Sequence, residues 1–133
     1  MSEQPFHDSV VKADKWSKVV ALFVAIGVFL LAREVVADVQ FVAIIAAITA
    51  IGVRLYIPYY ASIRVPDADR TPLHDHPVTG NYHHGAAGLA LIVCSAVALV
   101  TYLVIHAFLT AIGVGVISGA LAYVVFSSVL SAA

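Results

Sequence analysis

The sequence predicts an all-α integral membrane protein whose four transmembrane helices form two antiparallel hairpins, joined by a polar, histidine-rich loop. Three observations predict this fold. Of the 133 residues, 62% are hydrophobic and 11% are charged, whereas a soluble domain is about 45–50% apolar and about 25% charged. The apolar residues form continuous runs without strand-like alternation. A single long polar segment, 61–84, separates two very apolar halves. We therefore expect lipid to contact much of the surface of this single domain.

The first predicted span covers 18–37 and follows a polar segment, 1–17, that we expect to lie at the membrane interface. The uncharged part of this span, Val19–Ala32, would rise only about 21 Å as a helix, which is less than the roughly 30 Å thickness of the hydrocarbon region. Arg33 and Glu34 are therefore expected to belong to the helix and to lie near the far interface.

The second predicted span covers 39–60. Asp38 is well suited to cap its amino terminus. The connection to the first span is so short that the two helices are expected to form a tight antiparallel hairpin. Pro58 is expected to help end the second helix, because proline has no backbone N–H to donate.

The third and fourth spans lie in Gly85–Ala133, which contains one histidine and no Asp, Glu, Lys or Arg. As one helix this segment would be roughly 73 Å long, more than twice the hydrocarbon thickness. It must fold back, and we expect the turn at 106–110 with Thr110 as the cap of the last helix. The predicted spans are then 86–106 and 111–131.

The basic residues predict the orientation of these spans. Six of the seven fall on one side of the membrane, and Arg33 falls on the other. By the positive-inside bias, the amino terminus, the 61–84 loop and the carboxyl terminus are expected in the cytoplasm. The formal net charge of −1 argues against a nucleic-acid partner. The six residues are Lys12, Lys15, Lys18, Arg54, Arg64 and Arg70.

A stripe of small residues predicts how the last helix packs. Ala111, Gly115 and Gly119 recur every four residues and so share one helical face. Lipid supplies little hydrophobic force between helices, so membrane helices associate where small residues let their backbones approach closely. We expect this stripe to face another helix, and we expect other membrane subunits or a second copy of the chain as partners.

Four histidines at the polar loop, His74, His76, His83 and His84, are candidate metal ligands. Imidazole is a ligand for zinc, copper, nickel and non-haem iron, so the cluster predicts a transition-metal site on the cytoplasmic face. No standard zinc spacing is present. The alternative interpretation is that these are polar loop residues that hydrogen-bond the headgroup region or a partner.

Tyr102 and His106 share a helical face and are the candidate cofactor-binding residues, since together they could hydrogen-bond a quinone or a lipid. A hydrated histidine at the interface is the alternative. Haem is not expected in a single chain. His106 is the only histidine within the spans, and it would lie roughly 33 Å along the helix axis from His84.

Arg33 and Glu34 form a candidate intramembrane ion pair, and an ionisable pair within a span suggests an ion gate or a proton relay. The structural alternative is that they pair with Asp38 or with a neighbouring subunit. Under the functional interpretation the chain would be a small oligomeric channel or transporter.

The sequence offers no nucleophile beside a base, no phosphate-binding glycine loop and no paired catalytic carboxylates, so we do not expect an enzyme. The first hypothesis is a structural or accessory subunit of a larger membrane assembly, such as a respiratory-type complex or an envelope lattice. The alternatives are a membrane protein that binds a metal or redox cofactor through its histidine cluster, and a small channel or transporter.

Overall fold

The computed structural model describes residues 7–66, 68 and 82–131, and within these ranges the chain forms four long α-helices. Each helix is long and apolar enough to cross a membrane. The prediction of an all-helical protein with four candidate membrane spans is therefore confirmed. The helices are α1 (Asp8–Arg33), α2 (Val39–Ile63), α3 (His84–Ile105) and α4 (Phe108–Val129).

Helix α1 includes much of the segment that we expected to be a separate interfacial element. It begins at Asp8, where the Nδ1 atom of His7 accepts a hydrogen bond from the Ser9 N–H at 3.2 Å. No glycine or proline lies between Asp8 and Lys18, so the helix continues from the polar segment into the apolar one. It ends at Arg33, and Glu34 is its carboxyl-terminal cap.

Helix α2 begins as predicted and ends later than predicted. The Asp38 Oδ1 atom accepts a hydrogen bond from the Phe41 N–H at 3.1 Å, which confirms the expected cap. Pro58, however, lies inside the helix, and the helix continues to Ile63. The expectation that Pro58 helps end the helix was wrong. A proline removes one intrahelical hydrogen bond, and the next residue, Tyr59, is 1% exposed and holds this turn in the core.

The turn between α3 and α4 also differs from the prediction. His106 adopts the left-handed conformation, with φ 59° and ψ 30°, and its N–H donates to the Tyr102 carbonyl at 2.7 Å. This one residue ends α3. Ala107 then precedes α4 without a side-chain cap, so Thr110 lies inside the helix and the expected Thr110 cap was wrong. Histidine is among the residues that tolerate the left-handed region better than most.

The helices pack in chain order. Extensive contacts join α1 to α2, α2 to α3 and α3 to α4, while the remaining pairs touch only marginally. We call α2 and α3 the inner helices and α1 and α4 the outer helices. Helices α3 and α4 are antiparallel. Gly115 lies against Ala98, whereas Gly119, further along α4, lies against Ala90 and Cys94, which come earlier in α3.

Two buried clusters stabilise the ends of this array. The first is nearest the α1–α2 and α3–α4 connections and centres on Phe41, which is 0% exposed. The second lies at the opposite end and centres on Tyr59. The first cluster contains Ala32, Val36, Phe41, Val42, Ile45, Ala98 and Ala111, and the second contains Val10, Tyr59 and Val65.

Candidate functional site

His83 lies at the start of α3 and links it to the end of α4. Its Nδ1 atom accepts a hydrogen bond from the Ala86 N–H at 3.1 Å, which caps α3. Its backbone N–H donates to the Tyr123 hydroxyl at 3.3 Å, and its Nε2 atom lies 3.5 Å from the Leu130 carbonyl oxygen. Because Nδ1 accepts, the ring proton that can donate to Leu130 belongs on Nε2. Both ring nitrogens of His83 therefore have partners within the chain.

Tyr59 brings the end of α2 to the same place. Its ring centroid lies 5.2 Å from that of His83, and its hydroxyl donates to the Ser131 carbonyl. Gly85 lies directly against the tyrosine ring, where a Cβ atom would overlap it. The carboxyl ends of α2 and α4 and the amino end of α3 are thus held together by one buried tyrosine and one capping histidine.

The four candidate metal ligands are only partly visible in this arrangement. His84 is 6% exposed and stacks on Tyr82, with 4.1 Å between the ring centroids. His74 and His76 lie outside the described residues. Within the described ranges, no three His, Cys, Asp or Glu side chains are grouped to hold a metal ion. The metal site at His74, His76, His83 and His84 stays a prediction.

Tyr102 and His106 lie at the opposite end of the bundle. Their rings meet edge to face with 6.2 Å between centroids. Tyr102 also stacks on Phe41, with centroids 4.3 Å apart, and Phe108 meets Phe41 edge-on at 5.6 Å. Tyr102 is therefore part of the aromatic core, whereas His106 is exposed. Binding of a quinone or a lipid by these two residues stays a prediction.

Arg33 closes the end of α1. Its Nη1 atom donates to the Val36 carbonyl at 3.2 Å and to the Ala37 carbonyl at 2.7 Å, across the connection to α2. Both Arg33 and Glu34 are exposed. The guanidinium thus satisfies backbone acceptors at the connection, and the ion pair of Arg33 with Glu34 stays a prediction.

The small-residue stripe of α4 lies against α3 of the same chain. Ala111, Gly115 and Gly119 are all buried. A Cβ atom at Gly115 would lie 2.6 Å from the Cys94 carbonyl oxygen and 2.8 Å from the Ala98 Cβ atom. At Gly115 only a hydrogen atom fits between the two helices.

A second close contact, which the sequence pattern did not reveal, lies between the inner helices. A Cβ atom at Gly52 would lie 2.7 Å from the Gly88 carbonyl oxygen, and one at Gly88 would lie 2.6 Å from the Gly52 carbonyl oxygen. Nearby, the Thr49 hydroxyl donates to the Ser95 hydroxyl at 2.8 Å. Both glycines stand out in apolar runs, but their pairing depends on the register between two helices.

Comparisons with known proteins add no identification. No family model, no curated protein and no solved structure matches this chain. The function is therefore inferred from the geometry of the described residues.

Proposed function

We propose that the chain is a small, non-enzymatic membrane subunit that acts by associating with another membrane polypeptide in a larger assembly. Its four spans form two antiparallel hairpins, joined by the histidine-rich 61–84 loop. Both termini and this loop lie in the cytoplasm. The partner is a different membrane chain or a second copy of this one.

The observation that carries this proposal is the outer face of α4. This helix packs extensively on α3 alone, and it exposes large apolar side chains such as Leu109 at 82% and Val124 at 65%. On the same face, a Cβ atom at Gly113 would meet nothing within 4 Å, and Ala120 is exposed. Small residues beside large apolar ones are what a second membrane helix needs for close approach.

The use of the polar side chains within the spans supports a non-enzymatic role. Thr49 and Ser95 hydrogen-bond each other across α2 and α3, and the Ser95 hydroxyl also donates to the Ile92 carbonyl at 2.9 Å. The Thr101 hydroxyl donates to the Val97 carbonyl of its own helix at 2.7 Å. The Thr49–Ser95 pair joins two helices and the Thr101 hydroxyl bonds within one, and both are usual uses of hydroxyls in membrane bundles.

The distribution of described basic side chains supports the cytoplasmic orientation of the termini. Lys12, Lys15 and Lys18 are exposed at the start of α1. Arg64 lies at the same end of the bundle, donates to the Tyr60 hydroxyl at 2.7 Å and stacks over its ring at 5.4 Å. Arg33 lies at the other end. This asymmetry is typical of the positive-inside bias.

Photo-crosslinking combined with native mass measurement tests the proposal. A benzoylphenylalanine placed at Val124 in native membranes is expected to give one discrete adduct, because α4 faces the partner. The matched control is Leu31, which is 73% exposed on α1 and is expected to crosslink only to lipid. Mild detergent extraction should yield a particle in which this chain and its partner have a fixed stoichiometry.

Gly113→Leu should release the partner, because a leucine blocks close approach at the open glycine. A particle that contains one copy of this chain and no other polypeptide would contradict the proposal. So would equal adducts at Val124 and Leu31.

A further inference from the structure

A groove lies between α1 and α2 on the outside of the bundle, with a volume of about 330 Å³. The groove exists because three alanines of α2 and one of α1 have short side chains, which leave the space between the two helices unfilled. Larger apolar residues of α1 form the rest of its wall. The lining residues are Ala25, Ile26, Phe29, Leu30, Ala43, Ala46 and Ala47.

Arg33 lies at one end of this groove. Ile26, Phe29 and Arg33 follow one another at three- and four-residue steps, so they share a face of α1. The Nη1 protons of Arg33 are used by the Val36 and Ala37 carbonyls. Its Nε and Nη2 protons have no acceptor among the described residues, and the side chain is exposed. A guanidinium with free donors is well matched to phosphate oxygens.

The other polar groups at this end of the groove are one further donor and two carboxylates. Gln40 is exposed and precedes Ala43 and Ala47 on the same face of α2, so its amide can also donate to a headgroup. Asp38 uses Oδ1 to cap α2. Glu34 is exposed and follows Leu30 at a four-residue step, so its carboxylate lies at the edge of the same face of α1.

The length of the groove distinguishes between occupants. The lining extends from Ala25 to Leu30, about 7.5 Å along the helix axis, and with Arg33 it spans about 12 Å of the roughly 15 Å of hydrocarbon in one leaflet. A second transmembrane helix, which crosses about 30 Å, would contact this groove over only about a quarter of its length. The groove therefore matches a lipid chain from the leaflet on the Arg33 side.

We propose that this groove binds one acyl chain of an anionic phospholipid, whose phosphate is held by Arg33 and Gln40. The alanines provide the space for the chain, and the arginine selects the headgroup charge. This site is separate from the α4 face, so it can exist whether or not α4 has a partner.

Native mass spectrometry of the full chain in detergent, with phosphatidylglycerol or phosphatidylcholine of identical acyl chains, tests the site. The wild-type chain is expected to retain one phosphatidylglycerol in preference to phosphatidylcholine. Arg33→Gln should lower this retention by about five-fold, the effect expected for one basic residue near a membrane surface. Ala47→Leu should do the same by filling the groove.

Two matched variants serve as controls. Arg54→Gln removes an exposed arginine from the other end of α2, and Ala96→Leu adds the same bulk at an exposed position of α3. Both should retain phosphatidylglycerol like the wild type. Equal retention of the two lipids, or unchanged retention in Arg33→Gln, would overturn the proposal. A dimer that Ala47→Leu abolishes would also overturn it, because a second copy would then occupy the groove.

A fluorescence measurement does not depend on whether Ala47→Leu folds. In a Trp16→Phe background, a single tryptophan replaces Leu30 at the groove or, as control, Leu121 on α4; these residues are 60% and 64% exposed. The vesicles contain phosphatidylcholine and a minor fraction of phosphatidylglycerol with brominated chains. Quenching should be stronger at position 30 than at 121, and Arg33→Gln should remove the difference. Equal quenching at both positions in the parent background would overturn the proposal.

Discussion

Glycines at the contacts between helices and glycines on the outward surfaces are packed in opposite ways. Gly52 of α2 and Gly88 of α3 face each other so closely that each excludes a Cβ atom on the other. Gly27 of α1 and Gly113 of α4 have nothing within 4 Å of the corresponding position. A small residue in a membrane helix thus marks an interface only when another small surface lies opposite it.

The hydroxyl residues repeat this contrast. The Thr49 Oγ1 atom lies 2.8 Å both from the Ile45 carbonyl oxygen of its own helix and from the Ser95 hydroxyl on α3, whereas Thr101 bonds only to the Val97 carbonyl one turn earlier. Whether such a residue joins two helices depends on whether it lies at a contact between helices or on an outward surface, more than on the residue type. Three substitutions test this difference between the inner contacts and the outer surfaces.

The largest effect is expected for Gly88→Leu. Even the Cβ atom of the new side chain would lie 2.6 Å from the Gly52 carbonyl oxygen and 2.9 Å from the Tyr56 backbone nitrogen. Backbone atoms cannot move aside as a flexible side chain can, so α2 and α3 must separate. We expect the free energy of unfolding to fall by about 3 kcal/mol. The measurement is unfolding by sodium dodecyl sulfate in mixed micelles, followed by circular dichroism.

Gly113→Leu is the matched control for Gly88→Leu. Its side chain enters open space on α4, and leucine has a better helix propensity than glycine by up to about 1 kcal/mol. The isolated chain should therefore be unchanged or slightly more stable. Equal destabilisation by the two substitutions would show that the Gly52–Gly88 contact does not distinguish inner from outer surfaces.

An intermediate effect is expected for Gly115→Ala at the α3–α4 contact. The added methyl group would lie 2.8 Å from the Ala98 Cβ atom and 2.6 Å from the Cys94 carbonyl oxygen. We expect a loss of about 2 kcal/mol, within the usual range for overpacking. Ala98→Gly in the same chain should restore part of this loss, because it removes one of the two clashes.

A double-mutant cycle measures that rescue in the same unfolding assay. The two single substitutions and the double substitution must be compared, because Ala98→Gly alone lowers helix propensity by about 1 kcal/mol. Strict additivity of the two single effects would contradict direct contact between these positions.

The parts of the fold that depend on residues close together in the sequence could be predicted from it. Four long apolar runs are enough to predict four helices, and the Asp38 cap depends on a side chain three residues from its donor. The Thr110 cap and the role of Pro58 were wrong for a different reason. A left-handed His106 and a buried Tyr59 decide those helix ends, and both depend on how the helices pack.

The candidate sites show the same difference between local spacing and helix packing. The four-residue spacing of Ala111, Gly115 and Gly119 shows that they share a face, but only the structure shows that α3 covers it. The Gly52–Gly88 contact and the α1–α2 groove require the register between helices far apart in sequence. The sequence pattern made His83 a candidate metal ligand but did not show that its Nδ1 atom caps α3. That use of a histidine depends on where the helix begins.

The smallest effect is expected for Thr49→Val, which removes the hydrogen bonds of the hydroxyl to Ser95 and to the Ile45 carbonyl and keeps the shape of the side chain. Hydrogen bonds between membrane helices contribute about 0.6 kcal/mol on average, so a loss of that order is expected in the unfolding assay. Thr101→Val is the matched control, because its hydroxyl bonds only within α3. Thr101→Val should lower the free energy of unfolding by less, since the Val97 carbonyl that loses the hydroxyl is already part of the helix hydrogen bonding. If Thr101→Val destabilises the chain as much as Thr49→Val, the cross-helix bond contributes nothing of its own, and the inner helices are held by close packing at their glycines alone.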